Sequence, residues 1–213
     1  MTAKIIFYLK KYTKKYCNKI GIHRWDYTLM VPRMLFSEYV FFKSFLRQHS
    51  KALYLESGSG GSTILADQLE LSYYAYETDA NFVDYMNGLL RQRRVEHLQV
   101  GEVVKFGFPA QETPAKAEMI TKALNKHFPL KENPYCVVFI DGRCRVATAL
   151  ELVQHLSPKD FVLVHDFERP HYQELLKVFE PVEQIERLVV FKQKEIAMPF
   201  LKELQEKYGQ DFR

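Results

Sequence analysis

The sequence holds only three cysteines, Cys17, Cys136 and Cys144, an odd number with no CxxC pair. That argues against a disulfide framework and a zinc knuckle, and fits thiols kept reduced in a cytosol. Apolar runs are short: none reaches the ~18 residues of a membrane span, and the stretch from Ile5 to Leu9 is cut by Lys10 too early for a signal-peptide core. The expected location is therefore the cytoplasm. Acid is missing from residues 1–24, which carry Lys4, Lys10, Lys11, Lys14, Lys15, Lys19 and Arg24. Taking those seven charges from the overall +4 leaves −3 on the other 189 residues. A protein that grips phosphates across its folded face needs its basic residues on that face, so a nucleic-acid partner is not expected. Linkers, internal repeats and low-complexity tracts are also lacking.

What is present suits one globular domain: 213 residues, 47% apolar and 26% charged, enough to bury a substantial core. Residues 3–20 place Ile5, Leu9, Tyr12, Tyr16 and Ile20 at three- and four-residue spacing among lysines, the pattern of a basic amphipathic helix. Two readings of it are open. The apolar stripe packs on the domain or a partner and leaves a solvated lysine face, or the helix lies on an anionic membrane surface as a peripheral contact. Residues 1–36 are set apart as this helical extension, and 37–213 as the main domain.

From Ser37, expected to cap a helix running to about His49, the periodicity moves between two types. Residues 51–55 read as a strand, 56–63 as a glycine-rich turn, 63–71 as a helix, 73–77 as a strand, 82–94 as a helix and 97–105 as a third strand. After a bend at Gly107-Phe108-Pro109 come a helix over 114–127, a strand over 135–140, a helix over 145–156 and a strand over 160–164. A helix over 172–179, strands over 182–186 and 188–192, and a helix over 197–208 complete the chain. Alternation of this kind predicts an α/β fold, doubly wound, with a mainly parallel sheet of about seven strands. The unbroken apolar run from Tyr135 to Ile140 suits a strand buried on both faces.

The turn Glu56-Ser57-Gly58-Ser59-Gly60 carries the main functional signal. Glycines between strand and helix let backbone approach a ligand, and Glu77 ends the next strand 19 residues after Gly58, where an acid accepts hydrogen bonds from ribose hydroxyls. Two cofactors share that layout. A nicotinamide dinucleotide wants a third small residue where Thr63 stands. S-adenosylmethionine has no pyrophosphate to bind and favours an acid such as Glu56 beside the turn. Glu56, Gly58, Ser59, Gly60, Glu77 and Thr78 are the candidate cofactor residues.

The segments 53–63, 76–79, 107–109, Ile140-Asp141-Gly142-Arg143-Cys144-Arg145-Val146 and His165-Asp166 through Arg169 and Tyr172 together resemble Rossmann-fold S-adenosylmethionine-dependent methyltransferases. More narrowly they are similar to a bacterial group with an IDGRxRV motif, sometimes found near polysaccharide genes and distantly like plant glucuronoxylan methyltransferases. Cys144 departs from that group, which tends to an aromatic there. The resemblance spans about residues 37–192. It implies O-methylation of a small or sugar-like hydroxylated acceptor.

Ligands in such sheets sit at the carboxyl ends of the strands, so Asp141, His165 and Asp166 are the candidate catalytic residues. His165 could serve as base, its ordinary pKa being ~6.5. Asp141 and Asp166 could instead hold a divalent metal, as some small-molecule O-methyltransferases resemble, although no metal ligand is assigned. Arg143, Arg145 and Arg169 suit an anionic acceptor such as a uronate, or internal pairing with the acids. Arg143, Arg169 and Tyr172 are assigned to the acceptor, with packing as the other role open to Tyr172. Cys136 reads as a core residue and Cys144 as inert packing. Two other functions stay open: a nicotinamide-dependent oxidoreductase, and a non-catalytic scaffold that binds cofactor without turnover.

Overall fold

Strand β6 (Cys136–Ile140) is buried along its whole length, as its unbroken apolar run requires. In the computed structural model, which describes residues 2–20, 30–99, 102–104, 108–109 and 134–209, it sits at the centre of a seven-stranded sheet. With β1 (Leu53–Ser57), β2 (Ser72–Glu77), β3 (Val95–His97), β7 (Phe161–Val164), β8 (Phe179–Ile185) and β9 (Leu188–Gln193), the order is β3-β2-β1-β6-β7-β9-β8. The first five strands in that order run parallel, β9 is antiparallel to β7, and β8 is antiparallel to β9. The α/β doubly wound sheet expected from the alternation is the one observed.

Two cores follow from the period-two alternation of the strands. Leu53, Leu55, Val138, Ile140, Val162 and Val164 face one core, where α5 (Arg145–Leu152) and α6 (Met198–Tyr208) pack. Tyr54, Ala75, Val137, Phe139 and Leu163 face the other, under α2 (Phe36–Gln48), α3 (Gly61–Gln68) and α4 (Ala80–Leu89). Residues 56, 141 and 165 continue the second register, which turns them toward α2 and α3.

Several boundaries differ from the sequence expectation. Helix α2 starts at Phe36, because Glu38 reaches back to accept the Leu35 N–H at 2.6 Å, so the cap comes from inside the helix and not from Ser37. The third strand is displaced: β3 covers only Val95–His97, while β4 (Val103–Val104) pairs antiparallel with β5 (Phe108–Pro109) in a separate ribbon. Residues 170–177 form a 3-10 segment rather than an α-helix. Strand β8 starts at Phe179 and is irregular between Pro181 and Glu183, where proline has no N–H for the ladder; its edge position tolerates that. The helix expected over 114–127 lies outside the described residues.

Helix α1 (Ala3–Lys19) forms, and it packs on the described body by the face opposite to its apolar stripe. Phe7 is its buried residue, with ring centroids 5.5 Å from Phe36 and 4.8 Å from Tyr39, and Lys11 donates to the Met34 carbonyl at 3.2 Å. Aromatic rings offered by α2 draw Phe7 inward, and the lysine stems beside it cover apolar surface. Ile5, Leu9, Tyr12, Tyr16 and Ile20 are all left exposed. No helix among the described residues is long and apolar enough to cross a membrane.

Two glycines meet where the winding reverses between β1 and β6. Gly58 has φ +96°, and a Cβ on it would stand 2.4 Å from the Gly142 Cα. Both partners are backbone, so neither can swing aside. Gly58→Ala is expected to lower the unfolding free energy by about 2 kcal/mol in urea denaturation; an unchanged midpoint would show that the two turns can separate freely.

Candidate active site at the strand ends

The glycine turn is held from within. The Gly58 N–H bonds the Tyr76 carbonyl at 2.8 Å, tying the turn to β2. Thr63 accepts from the Gly60 N–H at 2.9 Å and donates to Glu56 at 2.7 Å, so the residue that breaks the dinucleotide pattern braces the turn through its hydroxyl. Ser62 donates to the other Glu56 oxygen. Gly60 is extended, a conformation open to any residue, and a Cβ there would meet nothing within 4 Å. No contact or strain within the protein requires glycine at 60, and the turn borders open space there. Gly61, which the sequence reading passed over, is required instead: its Cβ would lie 2.3 Å from the Val31 carbonyl carbon.

Glu56 is 1% exposed. Burial pushes its carboxyl up to about 8; the Ser62 and Thr63 hydroxyls oppose that rise and the nearby Asp141 charge adds to it. At neutral pH it is mostly protonated. Glu77, at the end of β2, accepts from Ser59 Oγ at 3.2 Å and from the Thr78 N–H at 2.8 Å. Ser59, Glu77 and Thr78 thus form one hydrogen-bonded group beside the open side of Gly60.

The second cluster lies at the ends of β6 and β7. One ligand-type atom from each of Asp141, His165 and Asp166 lies within 4.8 Å of the others, as their placement at strand ends leads one to expect. His165 is 3% exposed, and both ring nitrogens face carboxylates: Nδ1 is 3.2 Å from Asp141 and Nε2 is 3.3 Å from Glu38. Burial alone would lower its pKa, but Asp141, Asp166 and Glu38 together raise it above the ordinary histidine value. Its ring is buried among acids, with neither nitrogen open to an acceptor. Asp166 adopts φ +57°, a left-handed conformation that aspartate tolerates better than most residues.

Arginines enclose the acids. Arg145, nearly buried, donates to the carbonyls of Gly142, Asp141 and His165 and pairs with the Asp141 carboxylate at 3.0 Å. Arg169 pairs with Asp166 at 2.6 Å and Arg187, from the β8–β9 turn, at 2.9 Å. Tyr172 is buried, its ring 5.3 Å from the Arg145 guanidinium and 5.9 Å from that of Arg169. Packing is therefore the role its position supports. Burial first, then the charges of Arg145 and Arg169, lowers the Arg143 pKa; the side chain is half-buried beside the cluster.

Glu38 and Arg187 are the residues that sequence reasoning missed. Glu38 is fully buried on α2 and bonds Leu35, Arg187 and His165. A signal for it exists: it falls on the buried face of α2 with Phe42, Phe45 and Leu46, where an acid is out of place. Arg187 offers no such signal, since a basic residue in a hairpin turn is ordinary.

A divalent cation does not fit this cluster. Asp141, Asp166 and Glu38 are already matched by Arg145, Arg169 and Arg187, and a dication would have to displace guanidinium groups at 2.6 to 3.0 Å.

No protein-family model matches the chain, and no curated protein does. Solved structures do. A methyltransferase-like protein from Silicibacter pomeroyi superposes with a TM-score of 0.69 at 22% identity, over 85% of this chain and 98% of that one. The MycE methyltransferase of the mycinamycin biosynthetic pathway, in complex with Mg, SAH and mycinamycin VI, gives 0.51 at 11% identity, over 87% of this chain and 55% of its own. This is a Rossmann-like methyltransferase fold. In it the Gly58 turn and Glu77 lie on one side of the strand-order reversal and Asp141, His165 and Asp166 on the other. Both candidate groups thus sit at the carboxyl ends of strands on either side of the reversal, where ligand sites of doubly wound sheets lie.

Proposed function

We propose that the protein is an S-adenosylmethionine-dependent methyltransferase acting on the hydroxyl of a small or sugar-like acceptor, rather than on nucleic acid. The observation that carries this reading is the Ser59–Glu77–Thr78 group beside open space at Gly60, on a methyltransferase fold. Glu77 would accept the ribose hydroxyls and the Gly58 to Gly60 turn would support the methionine part, while Glu56, buried and mostly protonated, would brace that turn through Ser62 and Thr63 rather than offer the cofactor a charge. S-adenosylmethionine supplies a methyl group on a positively charged sulfur, ready for in-line displacement.

The protein's own contribution is then position and a proton acceptor. Asp141 suits the second task, since its side chain is 24% exposed against 12% for Asp166 and 3% for His165. His165 and Arg145 orient Asp141 from behind, and Arg169 and Arg143 on the outer side suit an acceptor that carries an anionic group. Residues Ile140 to Val146 supply several of these groups, which supports kinship with the bacterial IDGRxRV group.

Calorimetry with S-adenosylhomocysteine is the direct test. Wild type is expected to bind, and Glu77→Ala to bind at least about tenfold more weakly, because ribose hydroxyls lose a charged acceptor. Absence of binding to folded wild type, with NAD or NADP binding in parallel titrations, would overturn the reading. Cofactor binding without turnover across a broad acceptor panel would leave a scaffold in place of an enzyme.

A further inference from the structure

Helix α1 turns its apolar stripe away from the protein. Ile5, Ile6, Leu9, Tyr12 and Tyr16, with Ile20 just past the helix end, are 40% to 66% exposed, while Phe7 and Lys11 on the opposite face hold the helix to α2 and the Met34 carbonyl. At 100° per residue the stripe covers about a third of the circumference and runs roughly 22 Å along the helix. Exposed apolar surface of this size on one helix marks an interaction surface rather than chance exposure. Among the described residues none buries it.

Charge indicates what covers it. Lys15 and Lys19 line one margin of the stripe and Lys10 the other, and α1 has no acid. The body adds positive charge beside the Lys10 margin: after burial, Arg47 and Lys10 lower the Lys43 pKa. Like charges crowd there, and attraction to an anionic surface relieves them. Tyr12 and Tyr16, with an apolar ring and a polar tip, suit the headgroup level of a bilayer. The packing on α2 leaves the stripe facing outward, where a flat surface can reach it.

We infer that α1 is a docking element for an anionic lipid bilayer, lying in the interface with Ile5, Leu9, Tyr12, Tyr16 and Ile20 inserted and Lys10, Lys15 and Lys19 at the headgroups. Apolar insertion and lysine attraction act together, each too weak alone for stable attachment. The site is independent of the methyl-transfer reading.

The test is co-sedimentation of the full chain with vesicles of phosphatidylcholine alone and of phosphatidylcholine with an equal part of phosphatidylglycerol. Binding to the anionic vesicles is expected to exceed that to the neutral ones by at least about tenfold and to fall with added salt. Leu9→Glu with Tyr16→Glu, both at exposed positions, is expected to abolish it without moving the urea midpoint. Equal binding to the two vesicle types, or retention by the double variant, would overturn the inference. So would a lipid-free dimer that the double variant dissociates while wild type ignores vesicles, which would assign the stripe to a second copy of the chain.

Discussion

Wild-type stability is expected to fall as pH rises from about 5 to about 8, and Glu56→Gln to remove the largest part of that fall. Glu56 titrates near 8 in the folded chain against an ordinary value of 4.5, so between those values the folded state holds a proton that the unfolded state has released. Protons bound preferentially by the folded state stabilise it at low pH, and that stabilisation is lost as pH climbs toward the folded value. At about 1.4 kcal/mol per pH unit, the difference between Glu56→Gln and wild type grows to roughly 4 kcal/mol in favour of the variant at pH 8. A neutral amide stays uncharged throughout, and its oxygen still accepts from a hydroxyl of Ser62 or Thr63. Urea denaturation of both proteins at a series of pH values makes the comparison. A constant offset between the curves would show that Glu56 is ionised in the folded protein at neutral pH.

Loss of Glu38 is expected to have an effect of similar size and opposite sign. Glu38→Ala removes the buried partner of His165 and Arg187 and leaves the Leu35 N–H without its acceptor, at a cost of about 3–5 kcal/mol. Glu38→Gln keeps the size and part of the hydrogen bonding, so it is expected to fall between alanine and wild type. The His165 pKa should drop in both, because one of three carboxylates that raise it is gone. Stability from that raised value is present below ~6.5 and is lost as pH rises through the folded pKa, so in both variants the loss moves to lower pH. Urea midpoints with imidazole titration by NMR measure the two effects together. An unshifted His165 with an intact midpoint would mean that the α2 contact carries no electrostatic load.

Both variants act on features that the sequence showed unequally. Glu56 was visible as an acid beside a glycine turn, but its protonation was not, because that depends on α3 closing over it with Ser62 and Thr63. Asp141, His165 and Asp166 were legible as strand-end residues, since a period-two pattern fixes where a strand stops and which face its next residue takes. The arginine enclosure was only partly legible: Arg169 follows Asp166 at helical spacing, whereas Arg187 comes from a hairpin paired across the sheet. Strand β3 was misplaced because three residues carry no readable period, and only pairing with β2 defines it.

By itself the sequence determined the α/β alternation, the parallel centre of the sheet, the glycine turn and the split between a basic N-terminus and an acidic body. These rest on local periodicity, on the φ of single residues and on counted charge, all properties of neighbours along the chain. The tertiary structure decided which face of α1 is buried, which acids are neutralised and which ionisable groups lose water. Those outcomes depend on side chains that meet across long sequence separations: Phe7 finds α2, Glu38 finds His165, and the apolar stripe is left facing out.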